Sequence, residues 1–173
     1  RDNTIVVLWG NHGWQLGEHH MFSKHTNFEV ACHSPLIIRK PGMPQPGVPT
    51  DMPVETVDIF PTLIELCKLP PVERLVGVSR AGLIADPNAN ISPTDAAFSV
   101  NPGGKGYMGF SIRTSQYRMT RWIHRQTKQV GQIELYDHIK DPGETVNITD
   151  DHPEVVERLN PSLDAKMKTL SGK

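Results

Sequence analysis

Thr4-Ile5-Val6-Val7-Leu8-Trp9-Gly10-Asn11-His12-Gly13-Trp14-Gln15-Leu16-Gly17-Glu18-His19-His20 is the stretch whose reading decides the fold. Its first six residues are apolar or β-branched without a break, which predicts a strand covered on both faces. The sequence then switches to glycine, asparagine and histidine, and a lone Lys24 follows. Polar side chains able to bind metal therefore stand where a buried strand emerges. Open α/β sheets bind ligands in that place, outside the carboxyl ends of their strands. An oxygen donor beside an imidazole can hold a cation, and a lysine further on can meet an anion that the cation also holds. Gly10 to Thr26 reads as a long polar loop, and long loops without their own structure are usually functional.

Working outward, Asn27 to His33 suits a short helix and Pro35 to Arg39 another buried strand. Lys40 to Pro53 holds five prolines and reads as an extended connector. Thr56 is placed to cap a helix running to about Lys68, with Val57, Phe60, Leu63, Ile64 and Cys67 at helical spacing and Pro61 in the first turn. Leu69 to Asn90 is loop-rich, broken by Pro70-Pro71 and Asp86-Pro87, and a boundary is expected near residue 90. Ala96 to Val100, Tyr107 to Thr114, Tyr117 to His124 and Gln132 to Asp137 read as antiparallel strands, with Thr114-Ser115-Gln116 short enough for a tight hairpin. Pro153 begins a last helix with Val155, Val156, Leu159, Leu163, Met167 and Leu170 on one stripe, which Pro161 is expected to kink or split.

A net charge of −1 gives no global steering towards nucleic acid or a membrane surface. No apolar run approaches the length of a membrane span. Charge is uneven locally. Between Asp95 and Glu134 there is no acid, yet Lys105, Arg113, Arg118, Arg121, Arg125 and Lys128 all fall there. One reading is a basic hairpin paired with the acidic segment after it, and the other is a rim that attracts a polyanionic sugar. Cys32 and Cys67 allow at most one internal disulfide, and Cys32 reads as a small packed residue. Asn90-Ile91-Ser92 and Asn147-Ile148-Thr149 are glycosylation sequons. The chain opens at Arg1 with a strand expected from Thr4, which points to the carboxyl-terminal piece of a longer protein.

Asn11-His12-Gly13-Trp14, Leu16-Gly17-Glu18-His19, Lys24 and Asn27-Phe28-Glu29 resemble the second half of a sulfatase. The likeness is to the iduronate-2-sulfatase and choline-sulfatase branch of the alkaline-phosphatase-like superfamily. Further landmarks follow in family order: Pro41-Gly42, Val57-Asp58-Ile59-Phe60-Pro61-Thr62-Leu63, Ser111-Ile112-Arg113-Thr114, Glu134-Leu135-Tyr136-Asp137, Asp141-Pro142 and Asn147. The resemblance implies an α/β fold, the C-terminal part of a sulfatase. Residues 1–90 would carry the metal- and sulfate-binding loop as the end of the catalytic domain. Residues 91–173 would form a small antiparallel-sheet subdomain with a C-terminal helix.

The resemblance also implies chemistry. Hydrolysis of a sulfate ester needs a nucleophile at sulfur, cations against the sulfuryl oxygens and an acid for the leaving alcohol. Asn11 and His12 occupy the family's metal positions, for calcium or, as the alternative, magnesium, and Lys24 the position that meets the sulfate. Asn replaces the family's usual Asp at position 11, and a neutral carbonyl binds calcium with less charge. His12 is a poorer partner for calcium than for zinc, so binding a sulfate oxygen or orienting the nucleophile stays open for it. His12 and Lys24 are thus the catalytic candidates, and Trp14 and His20 candidate substrate contacts, with Trp14 as a loop anchor the alternative. His19, His20 or His25 could protonate the leaving group, or His19 could hold the loop while the others are solvated. The family's formylglycine nucleophile motif is absent, so it is expected in an N-terminal portion of the same enzyme and this chain alone is expected to be inactive. A sulfated sugar such as iduronate 2-sulfate and an extracytoplasmic location follow from the resemblance. A phosphodiesterase or phosphonate hydrolase of the same superfamily, and a non-catalytic glycan-binding relic, are the alternatives.

Overall fold

The computed structural model describes residues 2–89 and 95–170. The opening run forms β1 (Val6–Trp9), which pairs antiparallel with β4 (Leu36–Arg39), Val6 opposite Arg39 and Trp9 opposite Leu36. These two strands make a sheet by themselves, and Leu8, Trp9 and Ile37 are 57%, 54% and 60% exposed. The expectation of strands covered on both faces is therefore corrected. β-Branched residues favour the extended backbone, and here Val7, Leu36 and Ile38 are half-buried while their neighbours on the strands are exposed.

The stretch expected as a plain polar loop contains a small hairpin, β2 (Gln15–Leu16) against β3 (Phe22–Ser23). Leu16 and Phe22 face each other across it and are more than 70% exposed, so its tip is apolar. A four-residue helix, α1 (Glu29–Cys32), follows within the span expected for it.

The next helix starts with a 3-10 turn, Thr56–Asp58, and continues as α2 (Ile59–Leu66). Its cap is Glu55, one residue before the expected Thr56, and Glu55 and Asp58 close a reciprocal capping box. The expected apolar stripe is not its buried face, since Val57, Phe60 and Cys67 are exposed. Instead Asp58 and Thr62 are buried. Asp58 accepts hydrogen bonds from the Val78 N–H at 2.8 Å and Arg80 Nε at 2.9 Å. The loop-rich stretch after it includes a short helix, α3 (Ala81–Ala85). The Asn90-Ile91-Ser92 sequon and the boundary expected near residue 90 lie outside the described residues.

The second half matches the sequence pattern closely. β5 (Ala97–Pro102), β6 (Tyr107–Arg113), β7 (Tyr117–His124) and β8 (Val130–Asp137) form one antiparallel sheet in sequence order. Thr114 closes the tight hairpin by donating its N–H to the Tyr117 carbonyl at 2.8 Å. α4 (Pro153–Leu170) runs through Pro161 without splitting. Its stripe Val155, Val156, Leu159 and Leu163 buries against Ile112, Met119 and Leu135 of the sheet. Packing on that face holds the helix together where the proline removes one backbone donor.

Side chains alternate across a strand, so the residues flanking Met119 face the other way. Arg118 and Thr120 are buried there with Ser111. Arg118 is the centre of an ionic clasp. Its Nε donates to Glu144 Oε1 at 2.6 Å and its second nitrogen to the Glu29 carboxylate of α1. Arg113 Nε donates to Glu29 at 3.1 Å, His138 Nε2 lies 2.9 Å from Glu144, and the Glu29 N–H donates to Glu144 at 2.6 Å. Glu29, His138 and Glu144 are close enough to resemble a metal site, with ligand atoms within 4.8 Å of one another. The guanidinium of Arg118 already supplies the positive charge between the two carboxylates.

Burial alone would raise both carboxyls, but their partners outweigh it and hold them below the usual range. For Glu29 these are Arg118 and then Arg113; for Glu144 they are the His138 hydrogen bond and then Arg118. A depressed carboxyl stabilises the fold above its ordinary pKa and loses that contribution as pH falls through the depressed value. Replacing Arg118 with Met should therefore cost about 3–5 kcal/mol of stability at pH 7 in a denaturant titration. The wild-type curve should also decline as pH drops below about 4.5. A loss under about 0.5 kcal/mol, the size of an ordinary surface change, would contradict the clasp.

Candidate functional site

The loop after β1 is pinned at two backbone points. The Gly10 N–H donates to the Pro35 carbonyl at 2.8 Å and the Gly13 N–H to the Ala31 carbonyl at 2.9 Å. At Gly13 only hydrogen fits, because a Cβ would stand 1.9 Å from the Val30 carbonyl oxygen. His12 is held between these points. Its Nδ1 lies 2.7 Å from the Gly13 carbonyl oxygen, and its Nε2 lies 2.9 Å from Lys24 Nζ. With the Lys24 ammonium donating, Nε2 is the acceptor and Nδ1 carries the proton given to Gly13.

Lys24 returns to His12 because the β2–β3 hairpin reverses the chain. Three non-glycine residues there, His19, His20 and Ser23, have left-handed backbone at φ 55°, 56° and 88°. Each costs on the order of 1 kcal/mol, and such strain gathers at functional sites. Beyond Lys24 the four-stranded sheet takes hold of the chain. Asn101 Nδ2 donates to the Thr26 carbonyl at 2.6 Å, and Asn27 Nδ2 donates to the Gly109 carbonyl at 3.1 Å. Ser99 Oγ donates to Asn27 Oδ1 at 3.0 Å.

Of the residues singled out in the sequence, His12, Trp14 and Lys24 come together. The exposed Trp14 ring lies 6.1 Å from the His12 ring, tilted by 33°. Asn11 is exposed beside His12 in the chain. His20 is exposed and makes no hydrogen bond to the His12–Lys24 pair, and His25 is exposed as well. His19 stacks flat on Phe28 at 3.6 Å, so it braces the loop by ring contact. Cys32 gives its thiol to the Thr26 carbonyl at 3.4 Å, and burial pushes that thiol's pKa up, as suits a packed residue. Both cysteines are free. Ser99, Asn101 and the Gly109 carbonyl were not legible as site supports, since they lie 72 to 82 residues from the Thr26–Asn27 segment that they hold.

The donor set can be tested against a calcium ion. Asn11 offers one neutral oxygen, and both nitrogens of His12 are engaged. Calcium takes six to eight oxygen ligands. The described loop residues therefore do not make a calcium site by themselves. The arrangement does suit a tetrahedral anion: an ammonium held by an imidazole, beside an exposed indole, in a pinned loop at the end of a strand.

The fold is of the sulfatase, alkaline-phosphatase-like kind. A solved structure of a protein bound to its substrate, D-glucosamine-2-N,6-O-disulfate, superposes with a TM-score of 0.83 over 99% of this chain and 35% of its own. At 24% identity that likeness shows the shared fold. The chain belongs to the family described as N-sulphoglucosamine sulphohydrolase, C-terminal, whose model matches residues 17–173. A sulfatase of Formosa agariphila is 33% identical over 145 residues, 84% of this chain and 26% of its own length. Arylsulfatase K of Danio rerio is 30% identical over 166 residues, 94% of this chain and 31% of its own. The chain thus spans between 26% and 31% of the length of these two relatives.

The His12–Lys24 contact makes a prediction independent of turnover. Nitrogen-15 spectra of the histidine-labelled intact protein should show His12 with its proton on Nδ1, and Lys24→Met should shift the tautomer balance. A His12 protonated on Nε2 in the wild type would contradict the geometry.

Proposed function

We propose that this chain is the sulfate-holding part of a sulfuric ester hydrolase that acts on a sulfated sugar, with iduronate 2-sulfate as a specific candidate. The observation that carries the reading is the His12–Lys24 pair, 2.9 Å apart in a loop pinned at Gly10 and Gly13. Family membership and relatives that are themselves sulfatases support it.

In this reading Lys24 donates to the sulfuryl oxygens, whose charge shifts as the S–O bond breaks. The partnership with His12 fixes the ammonium before substrate arrives, so little reorganisation is needed at the moment of reaction. Trp14 walls the sugar beside the pair. His20 and His25 are exposed and free to reach the leaving oxygen as proton donors. The formylglycine nucleophile lies outside this chain, in an N-terminal portion that also covers the apolar face of β1 and β4. Calcium, or magnesium in its place, belongs to the complete enzyme, where Asn11 contributes one oxygen ligand.

In the intact enzyme, Lys24→Ala should lower kcat/KM for a sulfate ester by about 10²-fold or more, the scale of losing one preorganised donor. Residues 1–173 alone should release no sulfate from an aryl sulfate. Release by this chain alone, or a Lys24→Ala enzyme as fast as wild type, would overturn the assignment.

A further inference from the structure

The six cations of the acid-free stretch fall into two groups in the fold. Arg113, Arg118 and Arg121 each pair with a carboxylate on another element, Glu29, Glu144 or Asp164. Lys105, Arg125 and Lys128 are exposed and join no ion pair among the described residues. Those three stand on two adjoining turns at one end of the sheet. Lys105 lies in the turn Gly104–Gly106 between β5 and β6, and Arg125 and Lys128 in the turn between β7 and β8. The Arg125 N–H donates to the Gly106 carbonyl at 2.9 Å, tying one turn to the other. Arg118 is buried, and Arg113 and Arg121 are half-buried, in their ion pairs.

Beside these turns the sheet carries an open cleft of about 360 Å³, lined by Gly103, Gly104, Tyr107, Trp122, Gln132 and Glu134. Gly103 makes room for the larger ring, since a Cβ there would come within 2.4 Å of Trp122 Cζ3. Trp122 and Glu134 line the cleft together. The Tyr107 ring meets His124 edge-on at 5.2 Å.

We infer that the cleft and the cationic turns beside it form an accessory site for a sulfated oligosaccharide, separate from the His12–Lys24 pair. The inference rests on the sulfatase reading and extends it from a single sugar to a chain. The aromatic faces of Trp122 and Tyr107 offer apolar area to the faces of pyranose rings, and Gln132 and Glu134 offer polar ends to hydroxyls. Lys105, Arg125 and Lys128 meet the sulfate or carboxylate groups of the same chain. Aromatic rings beside cations also suit a single-stranded nucleic acid. Glu134 repels phosphate and sulfate alike, so charge does not separate the two; the chain's place in the sulfatase family favours the saccharide.

The test uses the intact enzyme and a heparin-type sulfated hexasaccharide, with binding measured by calorimetry at several salt concentrations. The triple variant Lys105→Gln, Arg125→Gln, Lys128→Gln changes only exposed side chains. It should weaken hexasaccharide binding about tenfold or more and reduce the slope of log affinity against log salt by about two. Its turnover of a small aryl sulfate should equal that of wild type. Trp122→Phe, which keeps a ring in the cleft, should weaken hexasaccharide binding several-fold while leaving aryl sulfate turnover unchanged. Unchanged affinity and salt slope in the triple variant would overturn the site. So would single-stranded DNA binding as tightly as the hexasaccharide, with the same loss in the variant. Absence of aryl sulfate turnover in wild type would reject the sulfatase reading, and loss of hexasaccharide binding in the variant would still support the accessory site.

Discussion

Arg118, buried between Glu29 and Glu144, is the interaction on which the rest of the structure depends. Two carboxylates cannot sit this close without a cation between them, and a buried guanidinium cannot remain there without its acids. The clasp therefore works as a unit, joining α1 to the face of the sheet opposite α4. Its consequence lies a few residues upstream. Glu29 is five residues after Lys24, and Asn27 and Thr26 between them are held by Asn101, Ser99 and the Gly109 carbonyl. The sheet thus fixes where the chain stands just after Lys24, and the Gly10 and Gly13 anchors fix His12.

This division of labour explains why polar residues occupy one face of the sheet. Ile112, Met119 and Leu135 turn towards α4 and form an ordinary apolar core. Ser111, Arg118 and Thr120 turn the other way and carry the polar contacts. A hydrophobic interface on that side would hold α1 with less definite geometry. Hydrogen bonds and ion pairs have angles and lengths, so they fix where α1 and the loop before it stand.

Local patterns were legible and long-range ones were not. The strands of the sheet and the stripe Val155, Val156, Leu159 and Leu163 declare themselves by period, because each is satisfied within a few residues or one adjacent layer. The same pattern marks β1 and β4 as strands, while within residues 1–173 their outer side chains are exposed. Apolar β-branched residues specify the strand, but its burial depends on a layer that no nearby residue encodes. The cap at Glu55 was misplaced by one residue because Glu55 and Asp58 satisfy each other reciprocally, leaving Thr56 outside. The pairing of Glu29 with Arg118 spans 89 residues and leaves no local mark. The acid-free stretch did hint at it: Arg113, Arg118 and Arg121 pair with acids, while Lys105, Arg125 and Lys128 stand exposed on turns. Within the loop, the sequence pointed to His12 and Lys24, and the structure places them in contact. The β2–β3 hairpin that brings them together was hidden, since its reversal depends on left-handed His19, His20 and Ser23 rather than on glycine alone.

The central claim is that His12 and Lys24 act together on one tetrahedral anion. The most direct measurement is a crystal structure of the intact protein with a sulfate ester or inorganic sulfate bound at the end of β1. The account predicts Lys24 Nζ about 3 Å from an oxygen of the anion while still held by His12 Nε2, with Trp14 alongside. An anion bound elsewhere, with Lys24 turned to solvent and separated from His12, would contradict it.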